Sequence, residues 1–251
     1  VQTEQEEIAT LSVEEPEEET QEIHVTVSIS QYGDFLNDKD GSPMAGRTVK
    51  LTGQASYTMD DALKAAHEQY YPGGAEAGYD YHADEKGEYD GLIYKLWGIN
   101  RSDVPFIKSS LNHDCGNYVK GLSRVVRDGD ELHFYIQQQK GSDLLTYFTD
   151  TDQTIAEGNE LVLHLRQVDD SGKDFSNCEG ASIYIDGVKQ ENCLTDASGC
   201  VTLTGLTSRE KPYFITAEKK YTTLNGDDVT AITAAYANVR VTDKKDLSGT
   251  Y

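Results

Sequence analysis

Hydrophobic residues recur at three- and four-residue intervals over residues 58–71, and this spacing predicts an amphipathic helix. The apolar stripe consists of Met59, Ala62, Leu63, Ala66 and Tyr70, which share one face of a 3.6-residue repeat. Thr58 and Asp61 have the spacing of a helix-capping pair, and a Pro-Gly-Gly run at 72–74 ends the pattern. Because an isolated helix of this length is marginal in water, its stripe must pack on neighbouring strands.

Alternation of apolar and polar residues predicts strands on both sides of this helix. Residues 23–29 and 47–53 alternate with a period of two across a turn-rich connector, so they predict a wide hairpin. Residues 91–98 and 131–139 are rich in β-formers, and residues 144–148 predict a short edge strand. The order of two strands, one helix and further strands predicts an α+β domain over residues 23–152, with the helix on one sheet face.

The second half of the chain alternates in shorter segments separated by turns. These segments lie at 160–168, 181–187, 195–206, 212–221 and 233–243. Short strands at regular spacing predict an all-β sandwich over residues 159–243. The fold class expected for the chain is therefore α+β followed by all-β.

Acidic residues dominate the charge of the chain. Residues 1–22 carry nine acids and no base, so they predict a disordered acidic stalk or linker. The whole chain has 44 acidic and 22 basic side chains, a net charge of -22. This charge disfavours nucleic acid and anionic membranes as partners. No apolar run approaches the roughly 20 residues of a membrane helix, and the first residue is Val1, as in a processed secreted chain or a recombinant fragment.

The cysteines point to an oxidising compartment. Cys178, Cys193 and Cys200 lie within 23 positions, and no C-x-x-C pair occurs. This pattern favours a disulfide over a metal site, although the sequence does not choose the pairing. Cys115 is expected to be the odd one out, and the protein is expected to be secreted or on the cell surface.

Tyrosines are concentrated between the helix and the following strand. Seven of the sixteen tyrosines lie between residues 57 and 94, and the only tryptophan follows at 97. Amphipathic rings on a glycine-bearing loop are typical of recognition surfaces. We therefore predict ligand contacts from Tyr79, Tyr81, Tyr89 and Trp97, within or beside a loop at 72–91. For Trp97, and for Tyr70 and Tyr94, the alternative of burial in the core is favoured.

Catalytic and metal-binding motifs are absent from the sequence. His113-Asp114-Cys115 and His82 with Asp84 and Glu85 bring titratable groups together, but adjacent residues of an extended chain point in different directions. Residues 38–41 resemble part of a calcium loop without its distal ligands, so an ordinary turn is predicted. The sequence predicts no catalytic residue, no metal site and no cofactor.

One family resemblance covers residues 23–150, about half of the chain. It lies in YTMDDALKAAHEQYYPGGAEAGY, KLWG, RDGDELHFYIQQ and TYF. These runs resemble bacterial extracellular domains related to the carboxy-terminal β-domain of transcobalamin and intrinsic factor (DUF4430). The resemblance implies a β-grasp-like fold with loops that contact a small molecule such as cobalamin or another corrinoid. The helical barrel that completes the cobalamin site in those carriers has no counterpart in this chain.

A second resemblance covers roughly 85 residues, 159–243. Thr195, Asp196, Gly199, Val201 and Leu203, followed by YFITAEK, are similar to prealbumin-like (Cna-B-type) modules of Gram-positive surface proteins and pilins. The resemblance implies an Ig-like sandwich, with Glu218 and Asn238 matching the acid and amide of an internal isopeptide bond. Arg166 stands where those modules have lysine, and a guanidinium is not a nucleophile at neutral pH. We therefore predict no crosslink.

These expectations describe a monomeric, extracellular binding protein of a Gram-positive type of bacterium, without catalysis. Its first domain would bind a small molecule or a surface partner, and its second would act as a spacer. Two other classes stay open: an adhesin-type structural module that binds a host protein or glycan, and an uncharacterised hydrolase.

Overall fold

The computed structural model describes residues 20–82, 91–115, 121–139, 143–169, 171–172 and 175–243. These residues form two hydrophobic cores, one between residues 23 and 136 and the other between residues 148 and 241. We call the corresponding stretches the first part and the second part. A small apolar cluster of Cys115, Tyr135, Leu145 and Val168 lies between them. Within the described residues, no helix has the length and apolar character of a membrane span.

The first part is built around one mixed sheet. Its strands are β1 (Gln21–Gln31), β2 (Asp34–Phe35), β3 (Arg47–Gln54), β4 (Tyr57–Thr58), β5 (Asp80–His82), β6 (Leu92–Leu96), β7 (Ile99–Asn100), β8 (Phe106–Leu111), β9 (Val125–Val126) and β10 (Glu131–Gln137). Its helices are α1 (Met59–Tyr70) and α2 (Gly74–Gly78), with 3-10 turns at Arg101–Asp103 and Gly121–Ser123. In the main sheet, β1 and β10 run parallel at the centre, and β3 and β8 flank them in the antiparallel sense.

Helix α1 lies across this sheet as predicted. The Thr58 hydroxyl accepts the Asp61 amide at 3.3 Å, and the Asp61 carboxylate accepts the Thr58 amide at 2.8 Å, so the capping pair is confirmed. Four residues of the apolar stripe are fully buried in the first core: Met59, Ala62, Leu63 and Ala66. Tyr70 is half-buried, and its hydroxyl donates to the carbonyl oxygen of Thr48 at 2.7 Å. Burial of one leucine-sized side chain stabilises such packing by about 2 kcal/mol.

Several predictions about the first part are wrong in detail. Residues 106–111, where the sequence predicted no strand, form strand β8 at the sheet edge. The strand β6, expected to extend the main sheet, forms a separate small sheet with β5 and β7. Residues 1–19 of the predicted stalk lie outside the described residues, and residues 21–22 already belong to β1. The helix on one sheet face is confirmed, whereas the β-grasp assignment stays a prediction.

The second part is a sandwich of two sheets. Its strands are β11 (Leu145–Phe148), β12 (Asp152–Ala156), β13 (Leu161–Val168), β14 (Phe175–Asn177), β15 (Ser182–Ile185), β16 (Val188–Leu194), β17 (Cys200–Leu203), β18 (Tyr213–Glu218), β19 (Lys220–Thr222), β20 (Asp228–Thr230) and β21 (Ala235–Thr242). One sheet contains β11, β13, β14 and β17, and the other has the order β12-β21-β18-β15-β16. Alternate side chains of both sheets fill the second core, which confirms the predicted all-β sandwich.

Strand β11 corrects the predicted boundary between the parts. Residues 145–148 were expected to form an edge strand of the first domain, but they pair with β13 of the second part. Phe148 is buried in the second core, which explains this pairing. The change of sheet therefore falls before residue 145 rather than at residue 152.

Candidate functional site

The tyrosine-rich segment folds into the first core. Tyr79 and Trp97 are 8% and 6% exposed. The Tyr79 hydroxyl donates to Asp60 at 2.6 Å, and the Trp97 indole donates to the carbonyl oxygen of Asn37 at 2.8 Å. The prediction that Tyr79 lies on an exposed loop is therefore wrong. Trp97 follows the alternative that placed it in the core, so neither ring offers a free surface to a ligand.

His67 lies at the centre of these rings. Its ring centroid is 4.8 Å from that of Trp97, 5.1 Å from Tyr79 and 5.8 Å from Tyr71. Because its Nε2 accepts the Trp97 amide at 3.1 Å, its proton is on Nδ1, which donates to the carbonyl oxygen of Leu63 at 2.8 Å. Burial lowers the pKa of His67 to about 4. The helical spacing from Leu63 to His67 was a sequence signal for this buried position.

The remaining predicted contacts are only partly described. Tyr81 is half-buried and packs against the first core. Tyr94, expected in the core, is 44% exposed, and its ring lies 4.7 Å from that of His82. Tyr89, Asp84 and Glu85 lie outside the described residues. A contact role for Tyr81 and Tyr89 stays a prediction.

The predicted disulfide is not confirmed. All four cysteines are free thiols, and burial raises the pKa of Cys178. Cys178 precedes β15, Cys193 lies on the edge strand β16, and Cys200 begins β17 in the opposite sheet. The three cysteines therefore occupy separate elements, which their closeness in sequence did not indicate.

The other titratable groups singled out in the sequence do not converge on one point. The His113 ring stacks on Tyr147 at 3.5 Å, the Asp114 carboxylate pairs with Arg124 at 2.9 Å, and the Cys115 thiol faces the Asp169 carbonyl oxygen at 3.7 Å. No group of three or more metal-ligating side chains occurs among the described residues.

The segment that resembles a calcium loop is an ordinary turn. The buried Asp38 carboxylate accepts the amides of Asp40 and Ser42 at 2.9 and 2.8 Å. Arg47 forms an ion pair with the same carboxylate. These three contacts hold the pKa of Asp38 below its usual value despite its desolvation.

The residues compared with an isopeptide site lie on different strands. Arg166 is on β13 in one sheet, whereas Glu218 and Asn238 are on neighbouring strands of the other sheet. The Asn238 side-chain amide donates to Asp152 at 3.4 Å. Glu218 instead lines a cleft that sequence patterns did not indicate.

This cleft opens between the two parts and has a volume of about 430 Å³. The first part contributes Gly33, Asp34, Phe35 and Pro43, and the second contributes Tyr184, Gly187, Phe214, Thr216, Ala217, Glu218 and Ala234. Pockets of this size at the junction of two structural units commonly hold ligands. The cleft combines aromatic rings with two carboxylates, so it offers both stacking surfaces and hydrogen-bond acceptors.

Close backbone contacts fix the two walls of the cleft. Gly33 has a φ of 84°, and a Cβ atom there would lie 2.7 Å from Cγ2 of Thr230. The Thr230 hydroxyl donates to the carbonyl oxygen of Tyr32 at 3.1 Å. This approach brings the Phe35 ring to 6.3 Å from that of Phe214. A glycine is thus required where the turn after β1 meets the second part.

The two carboxylates of the cleft differ in their surroundings. Glu218 accepts the Tyr184 hydroxyl and pairs with Lys220, and these contacts outweigh burial and lower its pKa. Desolvation and the charge of Glu218 raise the pKa of Asp34, and the charge of Lys220 offsets only part of this shift. Among the described residues, its carboxylate has no hydrogen bond or ion pair. Asp34 is therefore an acceptor that a ligand can use.

A second cavity at the same junction is too small for a ligand. Its volume of about 40 Å³ accommodates about one water molecule. His113, His133, Glu131 and Tyr147 line it, and burial lowers the pKa of His113 to about 4 and that of His133 to about 3. This cavity therefore belongs to the packing between the parts.

Comparisons with known proteins leave the family of this chain unassigned. No family model and no curated protein matches it. Domains 4 and 5 of the S-layer protein SbsC align over 88% of this chain and 97% of that chain, at 13% identity and a TM-score of 0.28. The Ig1-2 module of the Drosophila receptor protein tyrosine phosphatase DLAR aligns over 89% and 98%, at 8% identity and a TM-score of 0.28.

A further solved structure is longer than this chain. The first four Ig domains of Dscam1 isoform 4.4 align at 10% identity and a TM-score of 0.26, over 87% of this chain and 43% of that chain. All of these scores lie below 0.5, so the likeness supports no conclusion about function. The described residues form a predominantly β protein of two parts, and the cleft between the parts is large enough for a ligand.

Proposed function

We propose that this chain is a non-catalytic binding module that holds a partner in the cleft between its two parts. The observation that supports this role is the combination of aromatic rings and an unpaired carboxylate in one concave surface of about 430 Å³. Aromatic residues with few, well-placed polar groups are typical of recognition surfaces. The rings are Phe35, Tyr184 and Phe214.

The proposal includes a finer fold assignment for each part. The first part is β-grasp-like, supported by the central parallel pair β1 and β10 with α1 across one sheet face. The second part is an Ig-like sandwich that supplies one wall of the cleft instead of acting only as a spacer. The sequence resemblances to bacterial extracellular and surface domains support an extracellular location.

The cleft replaces the tyrosine loop as the proposed contact site. Tyr79 and Trp97 are used inside the first core, so a corrinoid held by these rings is not proposed. A protein or glycan on a cell surface is the partner class that this binding module would engage. The net charge of -22 supports selection against anionic partners.

An array of immobilised peptides and glycans tests this role. The full chain should be compared with the variant Phe214→Ala, which removes one cleft ring, and with Phe175→Ala as a matched control. Phe175 is 45% exposed on β14 in the opposite sheet and does not line the cleft. We expect saturable binding by the unmodified chain and the control, and binding at least about tenfold weaker for Phe214→Ala. Equal binding by all three, or no saturable binding, would contradict the proposal.

A further inference from the structure

The chain already holds one of its own arginines beside the cleft, between a ring and a carboxylate. The Arg209 guanidinium carbon lies 3.4 Å from the centre of the Tyr213 ring. Its Nη1 atom is 2.7 Å from the Asp186 carboxylate, and the next residue, Gly187, lines the cleft. Stacking and charge-assisted hydrogen bonding are the two interactions that suit a planar guanidinium.

A second arginine is held in the same way on the first part. The Arg47 guanidinium carbon lies 5.2 Å from the centre of the Tyr70 ring, and its Nη2 atom pairs with the buried Asp38 carboxylate. The two sites belong to different sheets and share no residues. One ring with one carboxylate is therefore a recurrent way in which this chain binds arginine.

The cleft also contains aromatic rings and a carboxylate, but none of the residues that line it is an arginine. The Phe35 and Phe214 rings line the cleft together with Asp34. Its carboxylate forms no hydrogen bond or ion pair with a described residue, although the charge of Lys220 acts on it. On the opposite wall, Glu218 is paired with Lys220. The two carboxylates repel each other, and Lys220 compensates only part of this repulsion, because the pKa of Asp34 stays raised. A further cation beside Asp34 would reduce the remaining repulsion.

We propose that the cleft binds an arginine side chain presented by an extended basic segment of a partner protein. This inference rests on the proposed binding function and names the chemistry that the site recognises. The guanidinium stacks on Phe214 and donates hydrogen bonds to Asp34, while the flanking residues of the segment occupy the rest of the cleft. The strongly acidic surface attracts such a segment over long range and repels phosphate-bearing partners.

Arginine fits this site better than lysine for a physical reason. A lysine ammonium would form an ion pair with Asp34, but it is a compact, strongly hydrated charge and lacks a planar face for the rings. A citrulline side chain keeps the planar shape and loses the charge. The three side chains therefore separate charge recognition from shape recognition.

A peptide titration followed by NMR or calorimetry tests the inference. The probes are end-capped Gly-Gly-Arg-Gly-Gly and the same peptide with lysine or citrulline at the centre, added to the full chain at low ionic strength. We expect binding to weaken from arginine to lysine to citrulline. The variant Asp34→Asn should weaken binding of the arginine peptide about tenfold. Glu160→Gln removes the same charge at an exposed position that does not line the cleft, and should change binding less than about twofold.

Each outcome of the titration decides the inference. Binding of the citrulline peptide as tightly as the arginine peptide would overturn it, as would equal affinity of Asp34→Asn and Glu160→Gln, or the absence of binding by the arginine peptide. In those cases, saturable array binding that Phe214→Ala abolishes would leave the binding role in place. No saturable array binding by the unmodified chain would remove the binding role itself.

Discussion

Two aromatic regions of this protein have similar compositions and opposite organisation. Around His67, the Tyr79 hydroxyl and both nitrogens of Trp97 have hydrogen-bond partners. At the cleft, the rings of Phe35 and Phe214 are only half-buried, and a neighbouring carboxylate has no partner among the described residues. The comparison teaches that a concentration of rings does not identify a binding surface. An exposed carboxylate without an ion pair to a described residue, beside half-buried rings, is a more specific indication.

The largest effect is expected from removing Trp97, whose buried ring packs against His67. Trp97→Ala should lower the free energy of unfolding by about 3 to 5 kcal/mol, because a large buried side chain is replaced by a cavity. Urea denaturation measures this loss. Tyr94→Ala, at an exposed position of the same segment, should cost less than about 1 kcal/mol. If Trp97→Ala lowered the free energy of unfolding no more than Tyr94→Ala, the rings around His67 would be loosely packed.

Acid should destabilise the protein through the histidines whose pKa desolvation lowers. Burial lowers the pKa of His113 to about 4, compared with about 6.5 in an unfolded chain, so the unfolded state binds more protons as the pH falls below about 6.5. Stability is then lost between about pH 6.5 and 4, at about 1.4 kcal/mol per pH unit for each such histidine. The raised pKa of Glu131 acts in the opposite direction. Urea denaturation across this pH range measures the slope.

The contribution of His113 to the pH dependence of stability can be removed by a substitution of similar shape. His113→Phe keeps a ring to stack on Tyr147, so it should reduce the pH dependence by about one proton. The control His164→Phe replaces a partly exposed histidine on β13 and should leave more of the slope intact. If both variants changed the slope equally, the junction histidine would not be the source.

A tight approach of one tyrosine to the backbone should make Gly98→Ala destabilising by about 1 to 3 kcal/mol. A Cβ atom at residue 98 would lie 2.1 Å from the Tyr71 hydroxyl oxygen, and the φ of 76° is itself unfavourable for alanine. Tyr71→Phe removes the clashing oxygen. The double variant should therefore recover part of the loss, which a double-mutant cycle measures. Additive losses would mean that the strain comes from the backbone alone.

The smallest expected change in stability is that of a single carboxylate, and its sign should differ between the cleft and the cluster of rings around His67. Asp34→Asn removes a charge that Glu218 repels more strongly than Lys220 attracts, so it should raise stability by a few tenths of a kcal/mol. Asp60→Asn weakens the hydrogen bond from Tyr79 and the ion pair with Lys64, so it should lower stability by about 1 kcal/mol. Thermal unfolding compares the two variants. A loss at Asp34 equal to that at Asp60 would make the cleft carboxylate a structural residue.

Local signals account for the elements that the sequence predicted correctly. Helix α1 depends on the Thr58 and Asp61 cap and on a stripe within twelve residues, all of which a short window contains. The sandwich strands follow from alternation, as in β21, where Ala235, Ala237, Val239 and Val241 are buried in turn. Each of these features is visible without knowing which segments meet.

Long-range packing accounts for what the sequence did not predict. Asp34 and Glu218 come from opposite ends of the chain, so no local pattern places them in one cleft. The burial of Tyr79 depends on Asp60, and the tight contacts of Tyr71 depend on two glycines that leave room for its ring. Free and buried tyrosines therefore have the same local signature, and composition alone cannot separate them.

The parallel pairing of β1 with β10 has a mechanical consequence. Because one strand opens the first part and the other closes it, a force that separates the two ends draws the strands past each other along their length. The six paired positions between Thr26–Glu131 and Gln31–Ile136 would then carry the load together rather than opening one at a time. In the second part, the closing strand β21 likewise pairs in parallel with an early strand, β12.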